Sequence, residues 1–268
     1  TSHGRNGAAR TGAMPCHEFS GVVVSIGRNV RDLDPGLEVY GMNDWYAEGA
    51  LAEYCTAPAG ALAPKPARLS CVEAAAVPIS ALTAWQGLVD RAKLQPGEKV
   101  LIHGGAGAVG IFAIQLARLR GAKTFTTVSA RNREFAKSAG ADVAIDYRAE
   151  RFEDVCGAVD VVFDTVGGDT LRRSWAVLKR DYRMVTIVSS EAASPDSRVN
   201  KAFFIVEPNR GQLKEVADLL GHGQLRVFLD TVVPFEKAVG AYRGEIARTG
   251  RGKIVVEMTG IRNAKSEE

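Results

Sequence analysis

The chain has 268 residues, a formal net charge of +3 at pH 7 and a hydrophobic fraction of 46%. This composition supports a large buried core, and the scattered basic residues do not form the concentrated patch that is typical of nucleic-acid binding. The four cysteines are far apart and form no CxxC pair, so a disulfide framework is not expected. No apolar run is long enough for a membrane span, and the N-terminus lacks a signal-type apolar core. We therefore expect a soluble cytoplasmic protein.

The first 66 residues favour β-structure without a helix. Alternating and β-branched residues predict three strands, at Phe19–Ile26, Leu37–Tyr40 and Leu51–Thr56. Ser70 and Glu73 have the spacing of a capping box, so a helix is expected to begin there. Pro78 should interrupt this helix, and a further helix is predicted over about Leu82–Ala92.

A strand, a glycine turn, a helix and a second strand follow in the order that a dinucleotide-binding fold requires. The strands are predicted at Lys99–His103 and Lys123–Val128, with a helix between them that Gly121 ends. The connecting turn fits G-x-G-x-x-G, with its glycines at Gly105, Gly107 and Gly110. In this context the first glycine permits a tight turn, the second a close approach of the backbone to a pyrophosphate, and the third close packing of helix and strand. Ala106, Ala108 and Val109 complete the predicted phosphate-binding turn, because N–H groups at a helix start face bound phosphates.

Strands and helices continue to alternate after this unit, which predicts a doubly wound parallel sheet. The predicted strands are Asp142–Ile145, Val159–Asp164, Arg183–Val188, Ala202–Val206, Val232–Pro234 and Lys253–Met258. The predicted helices are Arg133–Ser138, about Thr170–Leu178, Gln212–Leu220, and one that ends near Ile246.

Five segments follow one another in the order of a known family. They are the Pro15–Gly21 segment PCHEFSG, Ala81–Trp85, the Gly104–Gly110 turn, Asp146–Arg148 and Asp164–Gly168. Together they resemble the medium-chain dehydrogenase/reductase superfamily, and within it the zinc-free quinone oxidoreductase, or zeta-crystallin-like, branch. The resemblance extends from about Pro15 to Met258. It implies an α/β fold with a Rossmann NADP-binding domain over residues 81–207 and an incomplete GroES-like β domain over residues 1–80 and 208–268.

The chain departs from the family pattern in three places. Members carry roughly 50 to 60 further residues before the PGHE segment, so the substrate domain is expected to be N-terminally truncated here. Cys16 stands where the family has glycine, and Leu178–Arg183 replaces a more usual proline–glycine turn. The missing segment would supply one wall of the substrate cleft. The resemblance therefore predicts cofactor binding with slow turnover.

Zinc is not expected. In the zinc-dependent branch the histidine that matches His17 is a ligand together with two cysteines, one of which falls in the missing segment. The other falls near Ile79, which has no donor atom. A lone histidine offers no tetrahedral site. His17 and Glu18 are therefore interpreted as a structural pair, and His103 as a hydrogen-bonded residue at a strand end.

The end of the second strand of the dinucleotide unit decides between NAD and NADP. An NAD site places Asp or Glu there to hold the ribose 2′-hydroxyl, whereas an NADP site uses Arg. Here Val128 is followed by Ser129, Ala130 and Arg131, with no carboxylate until Glu134. A guanidinium can bind a 2′-phosphate through two hydrogen bonds, so NADP(H) is favoured. Alternatively, Arg131 and Arg133 are only solvated residues at a helix start.

The resemblance also implies further contacts with the cofactor. Thr83 matches a residue near the nicotinamide, and Tyr147 one beside the adenosine phosphate. The segments that line the ribose and the nicotinamide ring are matched by Val166, Ile187, Val188, Ser189, Phe203 and Phe204. The two phenylalanines fit equally well as core residues. The proton donor is assigned to Tyr46 or to water.

The predicted activity is NADPH-dependent reduction of a quinone or another α,β-unsaturated carbonyl by hydride transfer without zinc. Without zinc there is no Lewis acid to polarise an isolated ketone. Conjugated acceptors need less help, because hydride can add at the β-carbon while the negative charge spreads to oxygen. The alternative is a non-catalytic NADPH-binding protein that has lost part of its substrate domain. A methyltransferase with a similar glycine turn is less favoured, because the acidic residue for its ribose is missing. A homodimer is expected through the apolar strand Ala202–Val206, since pairing removes an exposed sheet edge.

Overall fold

The computed structural model describes residues 14–188 and 194–258. Contacts divide the chain into two compact units. The first unit comprises the described parts of Thr1–Ile79, Glu207–Thr249 and Lys253–Glu268. The second comprises Ser80–Val206, again where described, together with the short segment Gly250–Gly252. The sequence-based division into residues 1–80 and 208–268 against 81–207 differs mainly in assigning this short segment to the first domain.

The N-terminal part of the first unit is a small antiparallel sheet. Its strands, in the order β1-β2-β3, are β1 (Glu18–Val22), β2 (Glu38–Met42) and β3 (Leu62–Pro64). The strand predicted at Leu51–Thr56 is wrong: this segment is irregular and Tyr54 is exposed. The third strand instead comes from the proline- and alanine-rich residues 57–66, where Leu62 packs with Leu33 and Val39. The alternation of apolar and polar residues did not identify β3, because a strand forms only where another strand is available to pair with its backbone.

Two short helices follow this sheet. Helix α1 (Cys71–Ala75) begins with the predicted capping box, in which Ser70 Oγ accepts from the N–H of Glu73 (3.2 Å) and Glu73 Oε2 from that of Ser70 (2.9 Å). Pro78 does not merely interrupt a helix, since it is the first residue of α2 (Pro78–Trp85). The first position suits proline because its missing N–H would have no intrahelical partner there. A π-helical segment, Gln86–Arg91, continues close to the predicted end.

The second unit is built on a five-stranded parallel sheet. Its elements are β4 (Lys99–His103), α3 (Ala108–Leu119), β5 (Lys123–Val128), α4 (Arg133–Ser138), β6 (Val143–Asp146), α5 (Phe152–Cys156), β7 (Val159–Asp164), α6 (Gly168–Ser174) and β8 (Leu178–Thr186). The strand order is β6-β5-β4-β7-β8. The order reverses between β4 and β7, at the point where open parallel sheets bind nucleotides. The predicted doubly wound α/β fold is confirmed.

The far edge of this sheet differs from the prediction. β8 begins at Leu178, so the segment expected to replace a turn is the start of a strand. The strand predicted at Ala202–Val206 is wrong: α7 (Ser197–Ala202) occupies its first residue, and only Phe203 forms a bridge, to Thr186. An apolar run by itself does not separate a helix end from a strand. Here the Asp196 side chain caps α7 by accepting from the N–H of Arg198 (2.9 Å).

The C-terminal part of the first unit contains two helices and a pair of parallel strands. They are α8 (Arg210–Gly221), β9 (Leu229–Pro234), α9 (Ala238–Arg243) and β10 (Lys253–Glu257), with β9 and β10 paired. The Asn209 side chain caps α8 by accepting from the N–H of Gln212 (3.0 Å). Across residues 14–188 and 194–258, no helix is both long enough and apolar enough to cross a bilayer.

Candidate cofactor site

The turn between β4 and α3 and the start of α3 are packed so tightly that an added Cβ would clash at Gly104, Gly105 and Gly110. A Cβ added at Gly105 would overlap Thr126 Oγ1, and one added at Gly110 would overlap the carbonyl oxygen of Gly104. The N–H of Gly105 donates to the carbonyl of Thr127 (3.1 Å), which anchors the turn to β5. The turn therefore has the close backbone packing that the fingerprint predicts.

Helix α3 begins directly at this turn, with Gly107 as its N-cap. Gly107 has no side chain to occupy the helix start, and the N–H groups of a first helical turn have no intrahelical acceptor. The helix has 12 residues and is buried from Gly110 to Ala117, so its axis is held in place. The N–H groups at Ala108 and Val109 thus lie at a helix start suited to an anionic group such as a pyrophosphate.

His103, the last residue of β4, is a structural residue, as expected. It is fully buried, and its ring nitrogens lie 3.0 Å from Thr127 Oγ1 and 2.8 Å from Ser174 Oγ. Because the Ser174 hydroxyl donates to the carbonyl of Thr170 (2.7 Å), it accepts from Nε2–H of His103. Burial lowers the pKa of His103 to about 3, so the ring is neutral at pH 7 and holds the strand end in place.

A cavity of about 360 Å³ lies where β5 and β6 end. Its lining residues are Ser129, Ala130, Arg131, Tyr147 and Arg148. The lining contains two guanidinium groups and no carboxylate, which suits a phosphate and not a ribose hydroxyl. The Arg148 guanidinium lies 5.6 Å from the ring centroid of Tyr147. Sequence reasoning did not select Arg148 as a site residue, although its place directly after Asp146-Tyr147 was a usable signal.

The two arginines considered for the 2′-phosphate differ in their surroundings. Arg133 forms an ion pair with Glu150 (3.0 Å) at the start of α4. The alternative interpretation as a helix-start residue therefore fits Arg133. Arg131, in contrast, lines the cavity. Its role in binding a phosphate stays a prediction.

The ends of β7 and β8 carry the loop that contains Val166. Asp164 is fully buried and accepts from the N–H groups of Val166 (3.1 Å) and Gly167 (3.0 Å) and from the hydroxyl of Thr186 (2.8 Å). Through these bonds one side chain joins both strand ends. Val166 is exposed.

The other residues implied for the nicotinamide end have mixed surroundings. Ile187 and Val188 are half-buried beyond β8, and Thr83 is buried in α2. Phe204 is buried, with the Arg91 guanidinium 4.7 Å from its ring centroid, which favours its interpretation as a core residue. Phe203 is half-buried at the bridge to Thr186. Ser189 lies outside the described residues.

Tyr46, the candidate proton donor, belongs to the first unit. It is about half exposed, and its N–H donates to Asp44 Oδ1 (2.7 Å) in a tight turn. Its assignment as a proton donor stays a prediction.

The residues present do not fit a zinc site. The His17 ring packs 5.2 Å from Trp45, and burial lowers its pKa. Glu18 accepts from the N–H of Ile79 (2.9 Å) and forms an ion pair with Lys253. Within the described ranges, no three His, Cys, Asp or Glu side chains converge as metal ligands would. His17 and Glu18 thus have separate structural contacts and do not form a pair.

We predict that the purified protein contains no stoichiometric zinc, because His17 packs against Trp45 and has no neighbouring zinc ligands among residues 14–188 and 194–258. Elemental analysis after dialysis against a weak chelator measures this. One tightly held zinc per chain would contradict the prediction and favour an alcohol dehydrogenase.

Comparisons with known protein families match both units. The family described as "Alcohol dehydrogenase GroES-like domain" matches residues 1–67. The family described as "Zinc-binding dehydrogenase" matches residues 139–256. The first match agrees with the GroES-like domain expected at the N-terminus.

Two similar proteins are a reductase and an oxidoreductase by name. The chain is 36% identical over 255 residues to 2-methylene-furan-3-one reductase of Solanum lycopersicum. It is 34% identical over 253 residues to NADPH-dependent alkenal/one oxidoreductase, chloroplastic, of Arabidopsis thaliana. Each alignment covers 91% of this chain, which spans 63% of the length of either relative.

A solved quinone oxidoreductase from Coxiella burnetii has the same fold. It superposes with a TM-score of 0.82 at 32% identity, covering 90% of this chain and 78% of the other. With the two family matches, these similarities show that the chain belongs to the medium-chain dehydrogenase/reductase superfamily.

Proposed function

We propose that this chain is an oxidoreductase that uses NADPH to reduce quinones or other α,β-unsaturated carbonyls. The observation that carries the proposal is the cavity after β5, whose lining has Arg131 and Arg148 but no carboxylate. The assignment of residues 81–207 to cofactor binding, and of residues 1–80 and 208–268 to the substrate domain, is part of it. The names of the tomato and Arabidopsis relatives support this substrate class.

The side chains present would hold NADP(H) in three places. The Gly105–Gly110 turn and the start of α3 suit the pyrophosphate, Arg131 and Arg148 suit the 2′-phosphate, and Val166 with Ile187 is proposed for the nicotinamide end. The bound cofactor would supply the hydride, which adds to the β-carbon of a conjugated carbonyl or to a quinone. A proton from Tyr46 or from water then completes the two-electron reduction.

We expect Arg131→Ala to weaken NADPH binding by roughly 10- to 150-fold, which corresponds to the loss of about 1.5–3 kcal/mol for a charge-assisted hydrogen bond. NADH lacks the 2′-phosphate, so its affinity should change less than twofold. Titration of both coenzymes by fluorescence measures the effect. The matched control is Arg120→Ala, which removes the same charge from the exposed end of α3. Equal affinities of the wild-type protein for NADPH and NADH would contradict the cofactor assignment.

The reaction is tested by following NADPH oxidation with 1,4-benzoquinone, with 9,10-phenanthrenequinone and with an alkenal. We expect turnover of conjugated acceptors and none of a simple ketone, because a simple ketone needs a Lewis acid to polarise its oxygen. The chain should be compared with one that is extended at its N-terminus to the length of its relatives. If both bind NADPH and neither oxidises it, the alternative of a non-catalytic NADPH-binding protein is correct.

Two further expectations remain proposals. The first is the cytoplasmic location that the sequence predicts. The other is a homodimer through the edge of the parallel sheet. In the described residues that edge is β8 with the single bridge at Phe203, instead of a continuous strand over Ala202–Val206.

A further inference from the structure

Three consecutive residues in the C-terminal part of the chain contact both loops that are predicted to bind phosphate, the glycine turn and the loop that carries Arg131. We call this segment, Gly250–Gly252, the C-terminal clasp. It is the only part of residues 207–258 that contacts assign to the second unit. Because more than a hundred residues separate it from either loop, nothing in the sequence motifs pointed to it.

The first contact of the clasp is with the glycine turn. The N–H of Gly252 donates to the carbonyl of Ala106 (3.1 Å), and Gly252 forms a parallel bridge with Gly107. These bonds use the backbone directly before α3. The clasp therefore contacts the backbone of Ala106 and Gly107, directly before the helix start that is proposed to face the pyrophosphate.

The second contact is with the loop that carries Arg131. Arg251 Nε donates to Asn132 Oδ1 (2.9 Å), and Arg251 Nη2 donates to the carbonyl of Arg131 (3.0 Å). One planar guanidinium thus contacts two consecutive residues through donors held in a rigid fork, a geometry that the ammonium group of lysine lacks. The same guanidinium lies 5.0 Å from the ring centroid of Phe135, in the first turn of α4.

The backbone of the clasp also lies next to the Arg131 side chain. A Cβ added at Gly250, which has a φ of +74°, would lie 3.4 Å from Arg131 Nη2. The guanidinium of Arg131 therefore packs close to the bare backbone of Gly250, while its carbonyl is held by Arg251. The clasp thus lies against both the main chain and the side chain of Arg131.

We propose that Arg251 is a positioning residue for coenzyme specificity: it holds the loop that presents Arg131 to the 2′-phosphate, and the clasp joins this loop to the glycine turn. The inference rests on the proposed use of NADPH. Arg251 acts through Arg131, so its loss should weaken NADPH binding and spare NADH, because only NADPH carries the phosphate. A purely structural role would lower the affinity for both coenzymes alike.

The test is a set of fluorescence titrations with NADPH and NADH on the wild-type protein, Arg251→Ala, Arg131→Ala and the double variant. We expect Arg251→Ala to raise the Kd for NADPH about tenfold and that for NADH less than twofold, with a melting temperature close to that of Arg120→Ala. The double variant should bind NADPH no more weakly than Arg131→Ala alone, since a residue that acts through another is not additive with it.

Arg251→Lys provides a second variant that keeps the positive charge and removes the two-pronged geometry. It should lose most of the preference for NADPH, and full retention of the preference would overturn the proposal. Additive losses in the double variant, or equal losses for both coenzymes, would also overturn it. A wild-type protein without a preference for NADPH would overturn the proposed cofactor itself, which separates that failure from a failure of the clasp.

Discussion

Gly110→Ala is expected to remove NADPH binding, with a loss of affinity of at least about 100-fold, and to destabilise the fold by about 1–3 kcal/mol. The added Cβ would overlap the carbonyl oxygen of Gly104 and press on the backbone of Gly105. Neither is the end of a flexible side chain, so the helix start and the glycine turn must move apart. That movement would displace the N–H groups at the start of α3 from the position that suits a pyrophosphate.

Isothermal titration with NADPH and urea unfolding measure the two effects of Gly110→Ala separately. Gly221→Ala is the matched control, because Gly221 is also a helical glycine and an added Cβ there meets no atom within 4 Å. This control should bind NADPH normally and gain up to about 1 kcal/mol of stability, since alanine reduces the freedom of the unfolded chain. If Gly110→Ala binds NADPH as the control does, the close packing of the turn is not required for binding.

Asp164→Ala is expected to lower the free energy of unfolding by about 2–4 kcal/mol, since each buried donor without an acceptor costs about 1–3 kcal/mol. The fully buried carboxylate accepts from Val166, Gly167 and Thr186. Without it, the loop after β7 loses its side-chain hydrogen bonds to the end of β8. Because Val166 is proposed to line the nicotinamide end, NADPH binding should weaken as well.

Asp164→Asn and Thr186→Val distinguish hydrogen bonding from packing at this site. An asparagine keeps one oxygen for the two backbone N–H groups and can donate to a rotated Thr186 hydroxyl, so it should cost about half as much as alanine. Urea unfolding of Asp164→Ala, Thr186→Val and the double variant forms a cycle. We expect the double variant to cost less than the sum, because valine removes the hydroxyl that Asp164→Ala leaves unpaired. Strict additivity would show that the two side chains do not interact energetically.

Much of the fold could be predicted because its signals are local. The capping box at Ser70 and Glu73 requires only residues three apart, and the structure contains both of its bonds. The strand at Val159–Asp164 lies where the sequence predicts it, since a strand buried in a parallel sheet is a short apolar run. The strands predicted at Leu51–Thr56 and Ala202–Val206 are wrong. Whether these segments form strands depended on which other strand was available to pair with their backbone.

The sequence by itself determined the dinucleotide fold and the positions of the glycine turn, because a strand, a tight turn and a helix follow one another within about 30 residues. It also placed Arg131 after the end of β5, the position at which NAD sites and NADP sites carry different residues. Only the tertiary structure decided that Arg148 shares a cavity with Arg131, and that Arg133 turns instead to Glu150. It alone brought Arg251 onto Asn132, 119 positions away in the chain, because contacts across such a separation arise from the packing of the folded chain and leave no local pattern.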